Sequence, residues 1–457
     1  MSDWSTDSWR SKNVHQDVIY ENQPELDSVL QKLGRLPPLV AAEEISKLKH
    51  QLAEVAAGKS FLLQGGDCAE LFDYCAKDPI ENKLKVLLQM SLILTWGGRT
   101  PVVRIARMAG QYAKPRSKPM EVIDGVEYHA FRGDNVNGID LSDRKPDPQR
   151  LLGAYFHSAA TVNYVRSLLS NGFADLHHPD NWNLDNWNLE HVVCPRVRQE
   201  YQYILDRLSD TIEFMKVTGA DNTSVQSFNT VDMFMSHEGL LLEYESRLTR
   251  EAKDGKHYNL GTHFLWIGDR TRQLDGGHIE YFRGIENPIG IKCGPSLQPD
   301  ELVALLDALN PTYEAGKITL ITRYGHEKIA DYLPSHIQAV QKTPHWGKVV
   351  WCCDPMHGNT ETVQGVKTRR FDHIVSELGH AFRLHKENNS RLGGVHFELT
   401  GDRVTEALGG SMQLSEEDLS RNYQTFCDPR LNYEQSMDVA FLIAKYYQDE
   451  RNPLIRL

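Results

Sequence analysis

The chain has 457 residues, 40% hydrophobic and 25% charged, the composition of an ordinary globular protein able to bury a sizeable core. Fifty basic against 62 acidic residues leave a formal charge of −12, which excludes general nucleic-acid or anionic-membrane binding; a phosphate site must be a local basic pocket on an acidic body. Seven cysteines, sparse and odd in number, suit a reducing compartment better than a disulfide scaffold.

The first twenty residues, MSDWSTDSWRSKNVHQDVIY, show no apolar h-region and no cleavage pattern. The most apolar helix-like run, residues 86–96, is interrupted by Gln89 and too short to span a bilayer. A cytoplasmic location is the expectation. Residues 1–58 read as an N-terminal extension, a polar arm followed by helices, with helical spacing of apolar residues over 43–57. From residue 59 onwards short apolar runs recur. They are FLLQGG from Phe61, PVVRIAR from Pro101, SVQSFNT from Ser224, HFLWIG from His263, PIGIKC from Pro288, ITLITR from Ile318, KVVWCCD from Lys348 and GGVHFEL from Gly393.

These runs are continuous rather than alternating, as expected of parallel strands buried on both faces. Helical patterns lie between most of them, for example at residues 299–309 and 371–385. Strand and helix repeated eight times predicts an α/β fold of the (β/α)₈ barrel type over residues 59–457. The long gap after the second strand predicts a helical insertion at about residues 148–217. An open doubly wound sheet is the competing architecture, but no GxGxxG follows a strand.

In such a barrel the chemistry sits where strands end. Those ends carry Asp67-Cys68, Arg107, Asp269-Arg270-Thr271-Arg272, Lys292, Arg323, Asp354-Pro355-Met356-His357 and Glu398, with Cys427-Asp428-Pro429-Arg430 shortly after. Cys68, His357, Glu398 and Asp428 offer a thiolate, an imidazole and two carboxylates. That set suits a divalent ion of borderline softness, Mn²⁺, Co²⁺, Fe²⁺ or Zn²⁺, better than Mg²⁺ or Ca²⁺. Taken singly, each of the four also reads as a buried Cys, a capping Asp or a core His. Arg107, Lys114, Arg116, Arg270, Lys292 and Arg323 form a basic set whose arginine forks match phosphate and carboxylate oxygens. Lys292 and Arg323 end apolar strands, so their charges require partners.

Other signals carry less. Ala57-Gly58-Lys59-Ser60 resembles the end of a P-loop, but position 53 is Ala and the segment precedes a strand. His177-His178 reads as a polar loop pair, and the adjacent Cys352 and Cys353 cannot form an ordinary disulfide with each other.

Along nearly its whole length the chain resembles the type II 3-deoxy-D-arabino-heptulosonate 7-phosphate synthases, with a flavour nearest the fungal members. The matching stretches include FLLQGGDCAE, ARMAGQYAKPRS, FRGDNVNG, SHEGLLLEYE, WIGDRTRQLDG, NPIGIKCGPS, TLITRY, DPMHGNT, KTRRFD, GGVHFELTG and CDPRLN, in the family's order. The resemblance implies metal ligands at Cys68, His357, Glu398 and Asp428, with Mn²⁺ or Co²⁺ as the first choices. It implies phosphoenolpyruvate contacts at Arg107, Asp269 with Arg270, Lys292 and Arg323, and an erythrose 4-phosphate site at Lys114, Pro115, Arg116 and Ser117. Lys292, Cys68 and His357 are the expected catalytic set, with Lys292 the first choice for proton transfer.

The implied reaction condenses the two phosphorylated substrates and releases phosphate, the first step of the shikimate pathway. A homo-oligomer, dimer or tetramer, and aromatic amino acids as feedback ligands are also implied. A synthase using another sugar phosphate, or a non-catalytic regulatory paralogue, are the alternatives. The sequence departs from the family at Asp269, where Glu is common, at Ala407, where Cys is usual, and at Tyr324-Gly325-His326, which replaces Met-Gly-Ala.

Overall fold

The computed structural model describes residues 4–174, 189–217 and 231–451. Its strands, in chain order, begin with β1 (Phe61–Gly66) and β2 (Val102–Arg107), followed by a hairpin of β3 (Met120–Ile123) and β4 (Val126–His129). Next come β5 (Phe234–Glu238), a hairpin of β6 (Thr249–Glu251) and β7 (His257–Asn259), then β8 (Phe264–Ile267), β9 (Ile289–Cys293) and β10 (Ile318–Thr322). The last are β11 (Val350–Cys353), a hairpin of β12 (Thr360–Val363) and β13 (Val366–Arg369), and β14 (Gly394–Glu398).

β1, β2, β5, β8, β9, β10, β11 and β14 close into an eight-stranded barrel in sequence order, each pair of neighbours parallel. The predicted (β/α)₈ architecture is therefore present, and seven of its eight strands stand where the apolar runs put them. The third strand is a correction. The expected run from Ser224 lies outside the described residues, and the barrel takes Phe234–Glu238 instead. That segment, FMSHE, carries Ser, His and Glu among its five residues, so it does not read as a buried apolar run. The barrel nevertheless buries its first four residues. Between β2 and β5 lie the β3–β4 hairpin and helices Gln149–Ser170 and Pro195–Val217. The pair His177-His178 lies outside the described residues.

Side chains alternate along each strand, so a barrel has two cores. Leu63, Ala106, Met235, Leu265, Ile291, Leu320, Cys353 and Val395 face outward and join the large core under the helices. Leu62, Val103, Phe234, Phe264, Trp266, Ile321 and Val350 face inward, packed with Leu48, Leu52 and Val55 of helix α2 (Ala42–Ala56, the second helix after α1, Gln23–Leu33). Several of these are the first or second residues of their strands, so α2 plugs the N-terminal mouth of the barrel.

The sequence builds that plug directly. Ile45, Leu48, Leu52 and Val55 fall on one face of α2 and are buried, and the Glu44 carboxylate accepts the Ala41 N–H at 2.7 Å, holding the first turn. Each leucine buried there contributes about 1.5–3 kcal/mol. The opposite, C-terminal mouth is left for polar groups. All seven cysteines are free, and among the described residues no helix is long and apolar enough to cross a membrane.

Candidate active site

Continuing inward by twos along the strands leads from the aliphatic plug to a polar layer. Gln64, Ser236, Trp266, Lys292 and His396 occupy it. The Ser236 hydroxyl donates to the Ala106 carbonyl (3.0 Å) and accepts from Gln64 Nε2 (3.0 Å). That leaves Gln64 Oε1 facing His396 Nδ1 at 2.8 Å, so the His396 Nδ1–H donates. His396 Nε2 is then an acceptor, and it receives Arg107 Nη1 (2.6 Å) and Lys292 Nζ (3.0 Å). Burial, reinforced by these two cations, holds the His396 pKa well below its usual range, which keeps the ring neutral. Trp266 lies beneath both cations, its ring centroid 5.1 Å from the Arg107 guanidinium and 5.8 Å from Lys292 Nζ.

One step further along the strands is the site itself. Arg107, Glu238, Arg323 and Glu398 stand at the ends of their strands and line one cavity with Cys68, Gln111, Lys114, Pro115, Trp266, Gly268, Asp269, Arg270, Lys292, His357 and Asp428. Asp354, fully buried after β11, lies just beneath the wall. Gly66, at the end of β1, adopts φ +146°, and a Cβ there would lie 2.4 Å from the Arg107 carbonyl oxygen. The turn into Asp67-Cys68 therefore depends on glycine. Asp67 is buried and pairs with Lys83 and with Arg430 Nη1 (2.9 Å), tying the segment that carries Cys68 to the one that carries Asp428.

Ligating atoms of Cys68, Glu398 and Asp428 lie within 4.8 Å of one another. His357 joins them through Nε2, 3.0 Å from Glu398 Oε1, while its Nδ1 is tied to Asp354 Oδ2 at 2.7 Å. A carboxylate on the far nitrogen fixes the tautomer and turns the Nε2 lone pair toward the cluster, the usual support of a metal-binding histidine. The thiol and two carboxylates at this spacing, with the imidazole beside Glu398, fit a divalent ion of borderline softness. The cluster's charge is balanced by buried cations. Glu398 pairs with Arg107 (3.0 Å) and Arg369 (2.7 Å), and Lys114 Nζ lies 2.7 Å from both Cys68 Sγ and Asp428 Oδ2.

The ionisation states follow. Burial alone would raise Glu398 and Asp354. Instead His357, Arg369 and Arg107 hold Glu398 well below the carboxylate range, and His357 and Lys292 do the same for Asp354. Burial, with a hydrogen bond to Cys427, raises the Cys68 thiol, against Lys114. Burial lowers Lys292 below the usual lysine range despite Asp354 at 2.5 Å, and Arg107 adds to the effect.

The required partners of the strand-end cations are thus Asp354 for Lys292 and Asp269 for Arg323 (3.3 Å). Asp269 also accepts Arg272 Nε at 3.2 Å, so its shorter side chain serves to orient two arginines. Of the KPRS element, Lys114 and Pro115 reach the cavity wall. Arg116 pairs instead with Glu121 (3.2 Å), and Ser117 Oγ accepts Arg270 Nη2 (3.2 Å) at the rim. Sequence reasoning assigned no role to Glu238, His396, Asp354 or Arg369. Glu238 is a buried carboxyl lining the cavity; burial raises its pKa, and its Oε1 has no hydrogen-bond partner among the described residues. The signal for His396 and Asp354 was available in the inward stripe of strand residues; Glu238 lies on the strand that the apolar runs missed, and Arg369, at the end of β13, had no comparable signal.

The model of the Class-II DAHP synthetase family matches residues 4–444. The phospho-2-dehydro-3-deoxyheptonate aldolase of Neurospora crassa is 52% identical over 464 residues, covering 98% of this chain and 95% of its own. The enzyme of the same name from Streptomyces coelicolor is 46% identical over 447 residues, 97% of each chain. Phospho-2-dehydro-3-deoxyheptonate aldolase AroG of Mycolicibacterium smegmatis is 44% identical over 426 residues, covering 91% of this chain and 89% of its own.

Proposed function

The chain belongs to the Class-II DAHP synthetase family, and on that premise we propose that it condenses phosphoenolpyruvate with erythrose 4-phosphate and water to 3-deoxy-D-arabino-heptulosonate 7-phosphate and phosphate, the first step of the shikimate pathway. The observation that carries this reading is the single cavity that gathers a thiol–imidazole–carboxylate cluster and five cations on a body of net charge −12. Two anionic substrates repel in water, and a pre-formed cationic mouth removes much of that barrier by positioning and electrostatic stabilisation.

In this reading Cys68, His357, Glu398 and Asp428 hold a divalent metal, Mn²⁺ or Co²⁺ by preference. Bound there, it supplies Lewis-acid polarisation of the sugar phosphate's aldehyde. Arg107, Arg270, Lys292 and Arg323 bind the phosphate and carboxylate of phosphoenolpyruvate, and Asp269 orients Arg323 for that contact. Lys114 and Pro115, with Ser117 at the rim, receive erythrose 4-phosphate. Lys292, lowered by burial and held between Asp354 and His396, is the group suited to move a proton beside the phosphoenolpyruvate. Trp266 beneath the cations excludes water from that side.

The test is release of inorganic phosphate from phosphoenolpyruvate plus erythrose 4-phosphate, with and without chelator. Turnover should vanish on chelation and return with Mn²⁺ or Co²⁺. Equal turnover with another aldose phosphate in a panel, or full activity of the metal-free Cys68→Ala protein, would sink the assignment. Adding each aromatic amino acid to the same assay, and measuring the mass of the protein in solution, tests feedback control and a dimer or tetramer.

A further inference from the structure

Glu377 lies on helix Phe371–Glu387, is fully buried, and belongs to neither the ligand cluster nor the cationic wall. Its carboxylate faces two loops. Oε1 accepts the backbone N–H groups of Tyr324 (3.0 Å) and Gly325 (2.9 Å), immediately after Arg323. Oε2 accepts Asn359 Nδ2 (2.6 Å), two residues after His357.

Asn359 extends the tie. Its Nδ2 also donates to the Pro355 carbonyl (2.8 Å), and its Oδ1 accepts the His326 N–H (2.9 Å), so the same amide holds both loops. The loops touch backbone to backbone. A Cβ on Gly358 would lie 2.2 Å from Gly325 N, and one on Gly325, at φ +90°, would lie 2.7 Å from the Gly358 carbonyl oxygen. Arg323 Nη2 donates across the same seam to the His357 carbonyl (3.1 Å), and His326 stacks on His373 of the Glu377 helix at 3.8 Å.

A buried carboxyl held by neutral donors is costly to keep, and an apolar residue would pack the helix more cheaply. What Glu377 supplies is three acceptor bonds that clamp both loops, already in contact with each other, onto one helix. Resting on the reading above, in which Arg323 binds phosphoenolpyruvate and His357 binds metal, we propose that Glu377 is a positioning residue that fixes the phosphate anchor relative to the metal ligand. Burial pushes its carboxyl up to about 7, against the opposing pull of the Gly325 and Tyr324 N–H groups and Asn359. The hydrogen bonds, rather than a counter-ion, retain it.

The donor and acceptor inventory yields a sharp test. In Glu377→Gln, the new amide can still accept Tyr324 and Gly325, but its NH₂ then faces the NH₂ of Asn359. Flipping Asn359 only transfers the clash to the His326 N–H. In Asn359→Asp, two buried carboxyls face each other. Combining the substitutions restores complementarity. The new amide at position 377 then donates to the new carboxylate at position 359, which still accepts the His326 N–H; only the Pro355 carbonyl loses its donor. Mn²⁺ Kd, the KM for phosphoenolpyruvate at saturating metal, and kcat are measured for the wild type, both single variants and the double variant.

Each single variant should weaken both Mn²⁺ binding and phosphoenolpyruvate KM by about 10- to 100-fold, and the double variant should lie closer to wild type than either. Wild-type Kd and KM in the single variants, with only Tm or the active fraction reduced, would show Glu377 to be merely structural. A double variant no better than the worse single would likewise overturn the proposal. His357→Ala and Arg323→Met run alongside: unchanged metal binding in the first and unchanged KM in the second refute the parent reading, not the Glu377 tie.

Discussion

Replacing Asp354 by Asn changes one atom and removes the charge that organises two functional groups. Asp354 Oδ2 accepts both Lys292 Nζ (2.5 Å) and His357 Nδ1 (2.7 Å), and Oδ1 accepts the backbone N–H of Met356 (3.0 Å). An asparagine that keeps its oxygen on the backbone turns its NH₂ toward two donors. His357 can satisfy that NH₂ only by moving its proton to Nε2, the nitrogen 3.0 Å from Glu398 and facing the cluster. A protonated Nε2 cannot ligate. Loss of such a carboxylate behind a ligating histidine weakens metal binding by about 10- to 100-fold, or roughly 1.4–2.8 kcal/mol. Lys292 loses its carboxylate partner, and burial then lowers it further. Its neutralisation limits the stability cost below the roughly 3–5 kcal/mol of a stranded buried charge. Calorimetric titration of the purified protein with Mn²⁺, and the pH dependence of kcat/KM at saturating metal, read both effects. Metal affinity should fall, and the alkaline limb of the profile should move to lower pH as Lys292 deprotonates earlier. A folded Asp354→Asn protein with wild-type Mn²⁺ affinity and an unmoved alkaline limb would refute the reasoning.

Arg369→Met strips Glu398 of its 2.7 Å partner while Arg107 and His357 remain. The loss should therefore fall near the low end of the buried-pair range, about 3 kcal/mol, read as a lower urea midpoint at unchanged m-value. Leu52→Ala opens a cavity in the plug at the end of the barrel remote from the site. It should cost about 2–5 kcal/mol while leaving kcat of the folded protein at wild-type level; a fall in kcat would mean that the plug shapes the mouth. Asp354 and Glu398 are held well below their ordinary values of 3.8 and 4.5. Their contribution is complete above those values and is lost as pH falls through the depressed ones. Urea denaturation from pH 6 downward should show Asp354→Asn losing less stability than wild type over the acid range, and parallel curves would contradict the assignment.

How much of this was legible in the sequence depends on the kind of residue. Leu62, Val103, Phe264 and Val350 announced their strands because parallel strands bury both faces and so read as unbroken apolar runs. Phe234–Glu238 did not, because two of its three inward residues are Ser236 and Glu238, spent on the polar layer and the cavity. Cys68, His357, Glu398 and Asp428 were recognisable as ligand types at strand ends. Their meeting could be expected only from the closure of a barrel and the family resemblance, since they come from four segments with no local spacing motif. Asp269 carried a second ambiguity that its position could not resolve. Whether a carboxylate touches a ligand or orients an arginine depends on reach, and here it accepts Arg323 and Arg272. Arg116 was set among the converging cations by its motif, yet a neighbouring hairpin supplies Glu121 and draws it aside.

The inward stripe explains why one barrel can be both stable and chemically active. Position by position along β14, Gly394, His396 and Glu398 pass from the α2 plug through the polar layer to the ligand cluster. Along β2, Val103 and Ile105 stay in the apolar core and Arg107 reaches the cavity wall. Apolar burial is concentrated where no substrate arrives, and it fixes the strands whose last residues face the cavity. The polar layer then translates that rigidity into proton positions. A hydroxyl committed to the Ala106 carbonyl determines which end of Gln64 faces His396, and that determines which imidazole nitrogen meets Arg107 and Lys292. Substituting Gln64 by Glu keeps the shape but offers His396 a charged acceptor, which favours the imidazolium. A proton on Nε2 would then confront two cations, so the effect of this buried change should appear at Lys292 and Arg107 above it.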